Sequence, residues 1–148
     1  MNNIDIIRAC KAHIDDIMII ENLSFKIPWS RQSMIEEITK NKFAIYMCAR
    51  TSTQTVGYAG MWHICDEGHI TNIAVHPEFR GSGIGSALME SLINLAEDAG
   101  IRDLTLEVRK SDIAAQALYR KYGFKDEGIR KGYYADNNED AIIMWKKV

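Results

Sequence analysis

The chain predicts a mixed α/β fold. Strand and helix signals alternate along 148 residues, no linker, repeat or low-complexity tract interrupts them, and the length suits one domain, residues 1–148. Each element has a local reason. "IDIIRAC" (4–10) reads as a short first strand. Ile14, Ile17, Met18 and Leu23 fall near helical spacing and predict a helix over 11–25. In "IPWS" Pro28 biases Ile27 away from the helical region and breaks the chain. Ser30 is then an N-cap for a helix over 31–40, with Ser33 and Glu36 offering a second capping register. Strands over 42–50 and 55–64 are joined by the polar turn "TSTQ", and another covers 68–76. A helix runs from about Gly83 to Ala99 and stops at Gly100, a suitable residue just past a helix end. "IRDLTLEVR" (101–109) is a strand, 111–122 a helix ended by Gly123, and "FKDEGI" and "DAIIMWKKV" are closing strands.

Composition narrows the function classes. A net charge of −2 argues against a nucleic-acid binder, which carries a basic excess. No apolar run approaches the roughly 18 residues of a membrane span, and "MNNIDIIRAC" lacks the basic head and apolar run of a signal peptide, so a cytoplasmic protein is expected. Cys10, Cys48 and Cys65 form no disulfide framework and read as small buried residues. His63, Cys65 and His69 match no metal-site spacing, so no metal is expected. Trp29, Trp62 and Trp145 read as core or interface residues.

The stretch "HPEFRGSGIGSALM" carries the chemistry. A Gly-rich loop that opens a helix offers free backbone N–H groups to an anion, helped by the helix dipole, and glycine lets the backbone approach closely. A nucleoside-triphosphate loop needs Lys after its last Gly, but Gly85 is followed by Ser86 and Ala87. The dinucleotide fingerprint needs Gly or Ala where Ser86 stands, and wants its glycines directly after a strand, whereas "HPEFR" intervenes.

Arg80, Gly83 and Gly85 fit the pattern [Q/R]-x-x-G-x-[G/A]. With "NIAV" before it and "LEVRKSDIAAQALYRKYGF" after it, the chain resembles the GNAT superfamily of acetyltransferases over most of its length. "IPWS", "LEVR…ALY…GF" and "YY…EDAIIM" are similar to the RimI type, the ribosomal-protein-alanine N-acetyltransferases. The resemblance implies a central mixed sheet of six to seven strands with about four helices, and acetyl-CoA as the acetyl donor. It places the pyrophosphate on Arg80, Gly81, Ser82, Gly83, Ile84, Gly85 and Ser86, and the pantetheine arm beside Ile73, Ala74 and Val75. Asp112 stands where the family usually has Asn in contact with that arm; it keeps the acceptor, loses the amide donor, and suits a helix cap.

Acetyl transfer to an amine needs a neutral nucleophile, stabilisation of the oxyanion and a donor for the leaving thiolate. By resemblance Glu107 matches the base and Tyr119 the acid. Strand parity sets Thr105, Glu107 and Arg109 on one face and Leu104, Leu106 and Val108 on the other, while Tyr119 also belongs to an apolar helical stripe with Ala115, Leu118 and Tyr122. A tyrosine near pKa 10 is about 2 kcal/mol short of protonating a thiolate near 8.5, so Tyr119 reads first as a hydrogen-bond donor to sulfur. A backbone N–H near Ala74 or Val75 suits the oxyanion. In the RimI type, Tyr133 and Tyr134 lie beside the peptide groove and Trp29 is a further substrate candidate; Glu139 and Asp140 nearby suggest a basic residue after the acceptor's N-terminus. The expected acceptor is a protein N-terminus, alanine of a small-subunit ribosomal protein. A lysine or small-amine acceptor, or a coenzyme A-binding module without catalysis, stays open.

Overall fold

The computed structural model describes residues 3–148. Its elements are β1 (Asp5–Arg8), α1 (Ile14–Ser24), α2 (Arg31–Thr39), β2 (Ala44–Arg50), β3 (Thr55–Ile64), β4 (Glu67–Val75), α3 (Ile84–Asp98), β5 (Asp103–Arg109), α4 (Ile113–Lys121), β6 (Lys125–Tyr134) and β7 (Glu139–Lys147). The strands form one seven-stranded sheet in the order β1-β2-β3-β4-β5-β7-β6. Only β4 and β5 are parallel, and α3 supplies their crossover. This is the mixed α/β architecture expected.

Local chemistry explains the boundaries. Ser30 caps α2 by accepting from the Ser33 N–H, so the chain uses the first of the two capping registers. Asp112 caps α4 through the Ala115 N–H. Two short 3₁₀ turns, Lys11–His13 and Pro77–Phe79, occupy stretches expected as helix and as loop. β6 runs to Tyr134, well past the expected 129, because Gly132 at φ 61 lets the strand kink and continue. Of the three cysteines only Cys48 is buried; Cys10 and Cys65 are exposed, which corrects the buried reading. Cys65 sits in the β3–β4 turn at φ 54, where the chain turns out of the sheet.

The sheet separates two cores. One face packs α3 residues Ile84, Leu88, Met89 and Leu92 on Leu104, Leu106 and Val108, with Tyr119 and Phe124 at its edge. The other packs Ile14, Ile17, Ile20 and Met34 from α1 and α2 on Tyr46, Cys48 and Tyr58. Among the described residues no helix is long and apolar enough to cross a membrane.

The sheet's most consequential feature is an interrupted pairing. β4 and β5 pair only at Glu67–Asp103, Gly68–Leu104 and His69–Thr105, then diverge. Beyond His69, the edge of β4 facing β5 has no partner strand among the described residues. A bulge starts the divergence: opposite β3, Gly60 pairs with Asn72 and Met61 with Ile70, leaving Thr71 unpaired. Gly60 permits it, since a Cβ there would collide with the Tyr46 ring and lie 2.9 Å from Thr71 Oγ1.

Candidate active site

The loop from Arg80 to Ser86 follows the free end of β4 and enters α3. Gly81 (φ 82) and Gly83 (φ 85) both take the left-handed conformation, and Gly83 is the N-cap of α3. Among the described residues, no N–H from Gly81 to Ser86 has a hydrogen-bond acceptor. These donors gather at the positive end of a 15-residue helix, which suits a pyrophosphate. An added Cβ at Gly81 or Gly83 would meet nothing within 4 Å, so the space above the loop is open for a ligand. Arg80 is not merely solvated. Its Nε donates to the Val75 carbonyl (2.9 Å) and its Nη2 to Ser24 Oγ (3.3 Å), tying the end of β4 to α1. Ser86 meets Lys121 Nζ at 3.4 Å. Ile73, Ala74 and Val75 pair with β3 through Ala59, Tyr58 and Gly57 on one side and border the open slot on the other. Replacing Gly83 by alanine is expected to raise KM for acetyl-CoA about tenfold and to cost about 1–2 kcal/mol of stability through its positive φ. Steady-state kinetics and thermal melts of the variant check both.

Glu107 lies on the face of β5 turned away from α3, as strand parity predicts. It lines a cavity of about 220 Å³ with Trp62, Ile64, Glu67, His69, Thr105, Arg130, Ile143 and Trp145. Oε2 lies 2.7 Å from His69 Nε2, and Oε1 lies 3.4 Å from Arg130 Nε. The hydrogen bond from His69 is the largest cause holding the Glu107 pKa below the usual carboxylate range, with the charge of Arg130 adding to it and burial opposing. An ionised carboxylate only accepts, so His69 Nε2 carries the proton of this bond. In sequence His69 stands out only as a metal-ligand candidate and nothing local marks Arg130; their meeting with Glu107 depends on strand register.

Tyr119 is buried among Phe124 and the α3 core. Among the described residues its hydroxyl has no hydrogen-bond partner, and none of them holds a fully enclosed, unpartnered side-chain oxygen or nitrogen. The hydroxyl therefore opens to solvent-accessible space while its ring belongs to the core. Burial raises its pKa, with the Asp112 charge and then Tyr134 adding. The Asp112 carboxylate is engaged as the α4 cap.

Tyr134 is fixed by an arrangement the sequence did not disclose. The Arg109 guanidinium lies 4.0 Å from the centre of its ring. Arg109 in turn bonds to both Asp136 oxygens (2.9 and 3.0 Å) and to Glu139 Oε1 (3.2 Å). Tyr133 stands edge-on to Tyr134 with centroids 5.1 Å apart and is half exposed. Bonds from Ser111 and Arg109 lower the Glu139 pKa to about 2, and Asp140 accepts from the Gly132 N–H. Glu139 is thus paired with the end of β5 and the loop after it, and Asp140 with a backbone N–H of its own hairpin. Trp29 packs against the α1–α2 core and donates its backbone N–H to Glu21 (2.8 Å), outside the lining of the Glu107 cavity.

A helix entrance that takes an anion, opening onto an unpaired strand edge with a held carboxylate across the sheet, suits an acyl carrier on one face and an amine on the other. That class of protein is the acetyl-CoA-dependent N-acetyltransferases. Comparison agrees: the acetyltransferase (GNAT) family matches residues 14–124, and the chain belongs to that family. It is similar to a Bacillus subtilis (strain 168) protein named provisionally as a [ribosomal protein bS18]-alanine N-acetyltransferase, 44% identical over 89% of this chain and 87% of that one. The Escherichia coli (strain K12) [ribosomal protein bS18]-alanine N-acetyltransferase is 38% identical over 84% of each chain. The crystal structure of the ribosomal-protein-S18-alanine N-acetyltransferase from Escherichia coli superposes with a TM-score of 0.91 at 32% identity, covering 99% of this chain and 94% of that one.

Proposed function

We propose that this enzyme acetylates the N-terminal α-amine of a protein in the cytoplasm, with the N-terminal alanine of ribosomal protein bS18 as acceptor, using residues 1–148 as one catalytic domain. The relatives' names point to that acceptor. The observation that carries it here is the Glu107 carboxylate held between His69 Nε2 at 2.7 Å and Arg130 Nε at 3.4 Å. A carboxylate held ionised by His69 and Arg130 is a weak base, so it suits an amine that loses its proton readily. An α-amine near pKa 7.7–8.0 is roughly a tenth neutral near pH 7, whereas a lysine near 10.4 is neutral in about 0.04% of molecules.

In this reading the N–H groups of the Arg80–Ser86 loop hold the pyrophosphate and the free edge at Ile73, Ala74 and Val75 receives the pantetheine arm. Glu107 takes the proton of the attacking amine, directly or through a water. Tyr119 donates a hydrogen bond to the departing sulfur, and an N–H at Ala74 or Val75 meets the oxyanion. Tyr133 and Tyr134 border the acceptor's path, and Trp29 supports it from the α1–α2 side. A peptide panel read by mass spectrometry tests the acceptor. Peptides with a free N-terminal alanine are expected to be acetylated at least about tenfold faster than lysine peptides blocked at the N-terminus. Faster acetylation of the blocked lysine peptides would overturn the reading.

A further inference from the structure

Glu37, on α2, lies outside the machinery described so far. Its Oε2 accepts from Trp62 Nε1 at 2.8 Å and from the Tyr46 hydroxyl at 3.1 Å, and its Oε1 accepts from Asn41 Nδ2 at 2.9 Å. Among the described residues no Lys, Arg or His lies within ion-pair distance of it. A partly buried carboxylate held by neutral donors alone carries a desolvation cost without a counter-ion. What it gains is the fixing of two aromatic side chains by one oxygen.

Both rings lead to the site. Trp62 lines the Glu107 cavity and stands edge-on to His69, centroids 6.2 Å apart at 83°. His69 is the residue that bonds Glu107 at 2.7 Å. The Tyr46 hydroxyl also meets Thr71 Oγ1 and Asn72 Oδ1, each at 3.3 Å, where the bulge turns β4 away from β5. Glu37 therefore braces one wall of the cavity and the start of the strand divergence through a continuous run of contacts.

We propose that Glu37 is a positioning residue for the acceptor cleft, setting the Trp62 indole against His69 and so the orientation of Glu107. This rests on the reading of the Glu107 cavity as the acceptor's side. An indole freed from its acceptor rotates out of the wall, and the amine then meets a poorly shaped cleft, while the Arg80–Ser86 loop is untouched.

The experiment compares E37A and E37Q with the unmodified enzyme, using an alanine-ended peptide and acetyl-CoA. E37A is expected to raise the peptide KM about tenfold, with the acetyl-CoA KM within about twofold. E37Q keeps a carbonyl for the indole and is expected to recover most of the loss. In a W29F/W145F background Trp62 is the sole tryptophan of the chain's three, and E37A is expected to lower its fluorescence anisotropy. An unchanged peptide KM, equal rises for both substrates, or E37Q as impaired as E37A would overturn the proposal. Should E37A not fold, W62F decides: it removes the N–H that Glu37 holds, and an unchanged peptide KM in W62F overturns the proposal equally. Full activity of E107Q would instead sink the reading of the cavity, so the two failures are distinguishable.

Discussion

Replacing Glu107 by glutamine is expected to lower kcat for an alanine-ended peptide about 10²-fold, with the acetyl-CoA KM nearly unchanged. Glutamine keeps the shape, and its carbonyl still accepts from His69 Nε2, so the wall of the cavity survives. What is lost is the capacity to take a proton. General-base assistance is worth about 10²–10⁴-fold, and an acceptor already partly neutral sets the loss at the lower end. The pH dependence sharpens this. Since the Glu107 pKa is depressed, its carboxylate is ionised throughout the neutral range and supplies no inflection there. kcat/KM for the peptide is expected to rise with pH and level off near the amine's own pKa, about 7.7–8.0. An inflection that belonged to Glu107 would lie below its ordinary value near 4.3. Rate profiles between pH 5 and 9 for the enzyme and E107Q decide the matter. A profile of E107Q with the same plateau height as the unmodified enzyme would remove Glu107 from the chemistry.

The sequence disclosed this site unevenly. Glu107 and its face were legible because strand parity is local: Leu104, Leu106 and Val108 enter the α3 core and Glu107 turns the other way. Ser30 as a cap and Gly83 as the start of α3 were legible for the same reason, since a helix entrance is decided within one turn of chain. His69 was not, because its contact with Glu107 spans 38 positions and depends on which residues β4 and β5 pair before they part. The divergence itself follows from Gly60, Tyr46 and Thr71 meeting across three strands, and no single stretch carries that signal. Glu139 and Asp140 have partners that the sequence hides. Read in sequence they look like free acidic residues beside a groove, yet Arg109, Ser111 and Gly132 engage them from elsewhere in the chain. Charge near a site speaks for recognition only once its partners within the protein are known.

Tyr119→Phe is the second variant expected to act strongly, lowering turnover about 10- to 10²-fold while leaving acetyl-CoA affinity within about twofold. The magnitude is that of one hydrogen bond to a charged group, about 1.5–3 kcal/mol. The structure separates this from a packing effect. The ring stays in both residues and keeps its place beside Phe124 and the α3 core. The hydroxyl has no partner among the described residues, so removing it orphans none of their groups, and the melting temperature is expected to hold. A tyrosine kept for structure alone would lose stability or nothing. One kept for chemistry loses turnover only. The raised pKa decides between the two chemical roles. Burial and the Asp112 charge make the phenol a weaker acid than ordinary, which widens the uphill gap of about 2 kcal/mol to a thiolate. A phenol in that position holds its proton and shares it, so the activity of the unmodified enzyme is expected to show no loss from Tyr119 ionisation up to pH 10. Thiol-release assays across that range, beside isothermal titration of acetyl-CoA, give both quantities. Equal turnover in Tyr119→Phe and the unmodified enzyme would leave the sulfur to be met by another donor.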